Sequence, residues 1–160
     1  MLETATSASL LIWALLCAIQ DSQHKRISNW LTLAPAVLAT GWLLWHGHSL
    51  TGNTPAAVLL GLALALALSL PGYMGGRMGA GDVKLLAALA LASGPLQVLG
   101  SIAGAAIGML AWTLGGPLLW QRLPVSARHR LKLLNPSQKD GLPYAPFFFC
   151  GLLATLLILG

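Results

Sequence analysis

Acidic residues are nearly absent from this sequence: there are four in 160 positions, against nine lysines and arginines. Charge of either sign makes up only 8% of the chain, about a third of what soluble domains carry, too little to coat a soluble fold of this size. Cysteine is as scarce. Cys17 and Cys150 each lie inside an apolar stretch, with no second cysteine nearby and no ligand spacing, so neither a disulfide framework nor a thiolate metal site is expected and both read as small core residues. No long-period repeat is evident, and no polar stretch is long enough to form a separate soluble domain, so residues 1–160 read as a single unit.

What the chain does contain is apolar blocks. Hydrophobic residues make up 56% of it, in runs without a polar stripe, which suits hydrocarbon as the solvent better than a one-sided core. Polar or Gly/Pro punctuation divides these runs into six segments: Ala5–Gln20, Trp30–Trp45, Pro55–Pro71, Val83–Ala92, Leu96–Trp120 and Pro143–Leu159. The first lacks a basic leader and a small-x-small cleavage site, so it reads as a retained span. The expected fold is an all-α integral membrane protein with six transmembrane helices.

The basic residues orient it. Lys25, Arg26, Arg77, Lys84, Arg122, Arg128, Arg130, Lys132 and Lys139 all fall in loops 21–29, 72–82 and 121–142 or at their edges. The alternate loops, "HGHSLTGNT" and "SGP", hold none. The positive-inside rule then makes the first set cytoplasmic and places both termini outside. The excess positive charge is thus topological, and the loop at 121–142 is expected to meet anionic lipid headgroups. Nucleic acid is not an expected partner, because a basic face on a soluble module with stacking aromatics is missing.

Of the four acids, Glu3 lies in the N-terminal tail and Asp140 in the turn sequence "SQKDGLPY". Asp21 and Asp82 differ, since each abuts a membrane segment at its cytoplasmic end. Asp21 closes the first span, at the negative end of the helix dipole and beside anionic lipid, where local structure gives a carboxylate no support. Asp82 follows "GAG" and precedes "VKLLAALALA", a good N-cap position. Serine, threonine or asparagine would cap as well, so capping explains the position and not the acid. The segment from Asp82 to "SGP" amounts to about 18 Å of helix against a hydrocarbon core of about 30 Å. Asp82 should therefore sit below the cytoplasmic surface, in a glycine-rich loop that dips inward. Gly79 and Gly81 are expected to supply positive φ angles there and to let a substrate backbone approach. Lys84 is expected to snorkel to the headgroups.

Two carboxylates at one membrane face can hydrolyse a peptide together. Repulsion keeps both from ionising, so one takes a proton from water while the other polarises the scissile carbonyl. Such chemistry needs no metal or cofactor, and none is expected.

These residues resemble a known family. "GAGDVK", Gly79–Lys84, looks like the GxGD signature of the type IV prepilin peptidases, which are membrane aspartyl proteases. "DSQHKRISNWLTL", Asp21–Leu33, is similar to their first catalytic segment, with Ile27 and Asn29 matching and Ser28 in place of the usual proline. "LPYAPFFFCG", Leu142–Gly151, resembles their final-span pattern of proline, aromatic, small residue, proline and glycine. The resemblance implies a GxGD-type aspartyl protease fold in the bacterial inner (plasma) membrane. It also implies cleavage at the cytoplasmic face of the short basic leader of prepilin or pseudopilin precursors, after a glycine and ahead of an apolar helix. Asp21 and Asp82 would be the catalytic pair, with Gly79, Gly81 and Lys84 in the active-site loop. The short first loop has no cysteine, unlike the CxxC-bearing region of larger members tied to pilin methylation, and the size is similar to the peptidases serving tight-adherence (Flp) pili.

Two rival readings use the same acids. A proton- or ion-coupled transporter should hold a carboxylate near mid-membrane and show internal pseudo-symmetry, and neither is evident. A presenilin-type intramembrane protease pairs its GxGD with Tyr-Asp, whereas Asp21 follows Gln20. Among weaker signals, Gly100, Gly104 and Gly108 form a small-residue stripe expected to seat a neighbouring helix. His46 and His48 have no acid or cysteine near them in sequence to complete a metal site.

Overall fold

Six helices account for nearly all of the residues that the computed structural model describes, which are 2–122, 124, 134–135 and 142–159. They are α1 (Leu2–His24), α2 (Asn29–His46), α3 (Pro55–Met74), α4 (Ala80–Ala92), α5 (Pro95–Arg122) and α6 (Ala145–Leu159), and there is no strand among the described residues. Arg128, Arg130, Lys132, Lys139 and Asp140 lie outside those residues.

The helix boundaries follow from local chemistry. Ser28 caps α2 by accepting from the Trp30 N–H at 3.2 Å, and Gly47 ends it in the left-handed region at φ 73°. Thr54 caps α3 through the Ala57 N–H at 3.3 Å, with Pro55 in the first turn where a missing N–H does no harm. Both α1 and α4 run further than the apolar pattern predicts. α1 continues a turn past Asp21 to His24, and α4 starts at Ala80, three positions ahead of the apolar run.

Three helices are long and apolar enough to cross a membrane by length and composition: Ala5–His24, Pro55–Met74 and Pro95–Gln121. α4 and α6 are shorter, at 13 and 15 residues. Large apolar side chains such as Val37, Leu44, Leu114 and Ile158 point outward over much of the surface, as they do when lipid is the solvent.

Inside the bundle, α4 packs against α2, α3 and α5, and α6 packs against α1 and α5. Leu85, Leu86 and Leu89 of α4 meet Cys17 of α1 and Phe148 and Leu152 of α6 in one buried cluster. Cys17 is the small core residue expected, but Cys150 faces outward on α6. The glycine stripe seats α6 on α5: a Cβ at Gly104 would collide with the Gly151 backbone, and one at Gly100 with the Thr155 side chain. Backbones approach this closely only where side chains are missing, which is how small residues hold helices together in lipid.

α1 and α2 are joined by a different device. Pro35 lacks an N–H, which would leave the carbonyl of Leu31 one turn earlier without its helical donor. The indole Nε1 of Trp13, on α1, donates to that carbonyl at 2.6 Å.

Candidate active site

The site is assembled at one end of the bundle from three helix termini. Asp21 lies in the last turn of α1, Asp82 in the first turn of α4, and Ala145 begins α6. Asp21 is 5% exposed, and its Oδ2 accepts a hydrogen bond from the Ala145 N–H at 2.9 Å, with the Tyr144 backbone N–H beside it. The carboxylate that has no support from its own helix is thus held at the positive end of another. Pro146 has no N–H to offer, and those of Phe147 and Phe148 turn back to the Tyr144 carbonyl.

Asp82 is not the N-cap of α4, as its position in the sequence suggests. Gly79 is the N-cap, and Asp82 sits at the third helical position, where its Oδ2 accepts from the Gly79 N–H at 3.1 Å. This is the acidic half of a capping box. The two glycines also act differently from expectation. Neither has a positive φ; in this loop that falls to Gly76, at 68°. A Cβ on Gly79 would come within 3.3 Å of Asp82 Oδ2, and one on Gly81 within 3.4 Å of Ile27 Cβ. Their bareness gives room to the carboxylate and to the corner between α1 and α2.

Lys84 is exposed at the start of α4. Its Nζ donates to Asn29 Oδ1 at 2.9 Å, tying the start of α4 to the start of α2. The corner between α1 and α2 is shaped by the Ser28 N–H donating to Gln20 Oε1 at 2.8 Å. His24 is exposed on that corner.

Two cavities flank the carboxylates, and Asp21, Lys25, Gly79 and Asp82 line both. One, of about 360 Å³, adds Arg26, Ile27, Asn29 and Lys84; the other, of about 260 Å³, adds Arg77, Met78, Met109 and Tyr144. Asp21 and Asp82 are near enough to act on each other electrostatically. Asn29 belongs to the segment that resembles the family's first catalytic motif, but the sequence alone does not single out Arg77, Met109 or Tyr144 as lining the site. The "LPYAP" motif is the available signal for Tyr144; Met109 has none, because it reaches the cavity from the interior of α5.

Elsewhere, among the described residues, no group of three His, Cys, Asp or Glu is placed to hold a metal ion. His46 stacks on Trp42, with ring centroids 3.8 Å apart.

The fold and site define a helical membrane protein with a carboxylate pair at one end of its bundle. The chain matches the type IV leader peptidase family over residues 8–114 and belongs to that family, a family of peptidases. The match takes in both aspartates and ends within α5. No curated protein and no solved structure matches the chain.

Proposed function

We propose that this chain is an aspartic endopeptidase that removes the short basic leader from prepilin or pseudopilin precursors of the Flp type, cutting after a glycine. In this reading all six helices lie in the bacterial inner membrane as one domain, with both termini outside. Asp21 and Asp82 face the cytoplasm. The observation that carries the reading is that these two carboxylates, on different helices, line the same two cavities at one end of the bundle.

The chemistry follows from how each acid is held. One oxygen of each carboxylate is engaged by a backbone N–H, from Ala145 for Asp21 and from Gly79 for Asp82. That fixes both groups, and the two cavities they line give water and substrate access to the pair. With one proton shared between them, the ionised carboxylate takes a proton from water as the oxygen attacks the scissile carbonyl. The protonated partner hydrogen-bonds to that carbonyl and stabilises the developing oxyanion. When the tetrahedral intermediate collapses, the C–N bond breaks and the leaving amine collects a proton from the pair. Gly79 keeps side-chain bulk away from Asp82, and Lys84, anchored on Asn29, sets the distance between the corner carrying Asp21 and the helix carrying Asp82.

The test is co-expression with a prepilin and separation by size. Asp21→Asn and Asp82→Asn should accumulate full-length precursor while Asp140→Asn processes it. Precursor trimmed normally by both of the first two variants would refute the assignment.

A further inference from the structure

Beside the two carboxylate cavities lies a further recess, of about 480 Å³, lined by Asn29, Trp30, Leu33, Ala34, Val37 and Leu38 of α2. Apart from Asn29 these residues are apolar, and they recur at the spacing of one helix face. Trp30, Val37 and Leu38 are 83%, 70% and 73% exposed, so nothing within the described chain covers them.

Two observations separate this face from apolar surface that lipid covers. The first is continuity. Asn29 lines both the recess and the cavity that holds Asp21 and Asp82, so the apolar stripe begins where the carboxylate cavity ends. The link is made by Asn29, since Trp30, Leu33, Val37 and Leu38 themselves line neither carboxylate cavity. The second is charge. The cavity that opens onto the recess carries Arg26 and Lys84 besides the shared Lys25, whereas the other, among the described residues, adds Arg77. Among the described residues the basic charge is thus heavier on the α2 side, which disfavours a basic segment there and leaves an uncharged one unaffected.

We propose that the apolar helix of the precursor, directly beyond the scissile bond, docks on the Trp30–Leu33–Val37 face of α2 while its basic leader leaves by the cavity at Arg77 and Tyr144. The proposal rests on the peptidase reading above and adds the path and orientation of the substrate. From Trp30 to Leu38 the stripe runs about 12 Å, or two turns. Contact over two turns positions the first apolar residues of the substrate beside the carboxylates. In lipid the gain comes from packing and not from water release, so a modest contribution to binding is expected.

The experiment places a photo-crosslinking amino acid at position 33, 37 or, as a control, 114, in the Asp82→Asn protein in membranes. The probe is a tagged prepilin with a Lys/Arg leader ending in glycine ahead of an apolar helix. Capture of the prepilin from positions 33 and 37 but not 114 is expected. Capture of lipid or a second copy alone at 33 and 37, or equal capture of the prepilin from 114, overturns the docking face. In the active enzyme, Leu33→Ala combined with Val37→Ala should raise KM about three- to tenfold with kcat nearly unchanged. A fall in kcat at constant KM overturns it. Cleavage of the same prepilin by wild type and Asp82→Asn is read alongside. If only wild type cuts but α2 captures nothing, the docking face alone is lost; if the two cut alike, the peptidase assignment beneath it is lost.

Discussion

The Asp21 carboxylate and the Ala145 backbone N–H meet at 2.9 Å, joining the last turn of α1 to the first residue of α6 across 124 positions of sequence. Asp21 is thus a structural cap of α6 as well as one of the two proposed catalytic groups. The two roles respond differently to substitution.

Asn keeps an acceptor oxygen at position 21 and Ala does not. Asp21→Asn should therefore abolish processing while unfolding in detergent at nearly the wild-type temperature. Asp21→Ala should also abolish processing but lose about 1–3 kcal/mol of stability, because a buried N–H is left without a partner. Equal melting temperatures for the two variants would remove the capping role.

Gly79 leaves space that Asp82 uses. A methyl group there would sit 3.3 Å from Asp82 Oδ2 and displace the carboxylate by a few tenths of an ångström. Gly79→Ala should lower kcat by about ten- to a hundredfold with little change in KM. Gly81→Ala, whose Cβ would meet Ile27 at 3.4 Å, should be milder. Steady-state kinetics on both variants check the order.

The Lys84–Asn29 hydrogen bond should couple α2 and α4 energetically. Lys84→Met and Asn29→Leu, made singly and together, should give a coupling of about 0.5–1.5 kcal/mol in a stability cycle. Asn29→Asp should preserve processing, since a carboxylate accepts from the ammonium as well as an amide does. Strict additivity would show the contact to be incidental.

Much of this is legible in the sequence, though not the parts that depend on distant partners. The six apolar runs locate the six helices, because hydrophobic blocks and their Gly/Pro punctuation are local signals. The start of α4 falls three positions before its apolar run, because glycine and alanine carry little apolar signal and the cap there is a backbone group that Asp82 reaches back to satisfy. The partner of Asp21 cannot be seen at all: nothing near position 21 points to Ala145. The link between Trp13 and Pro35 has the same character, since each residue reads alone as ordinary apolar sequence.

That link offers an independent check on the fold. Trp13→Phe should destabilise the bundle by about 1–2 kcal/mol by leaving the Leu31 carbonyl only the weak, 4.0 Å contact from the Cys17 thiol. In a Pro35→Ala background the loss should shrink, because alanine supplies the helical N–H that the proline lacks. Thermal unfolding of the four proteins measures the difference. An equal loss in both backgrounds would assign the effect to indole packing.

The most direct measurement of the central claim is the cleavage rate of purified wild type, Asp21→Asn, Asp82→Asn and the double variant on one prepilin. If the two acids form a single catalytic unit, each single substitution should lower kcat by about a thousandfold or more, and the double should fall no further. Either single variant keeping a rate within about tenfold of wild type, or losses that multiply in the double, would contradict it.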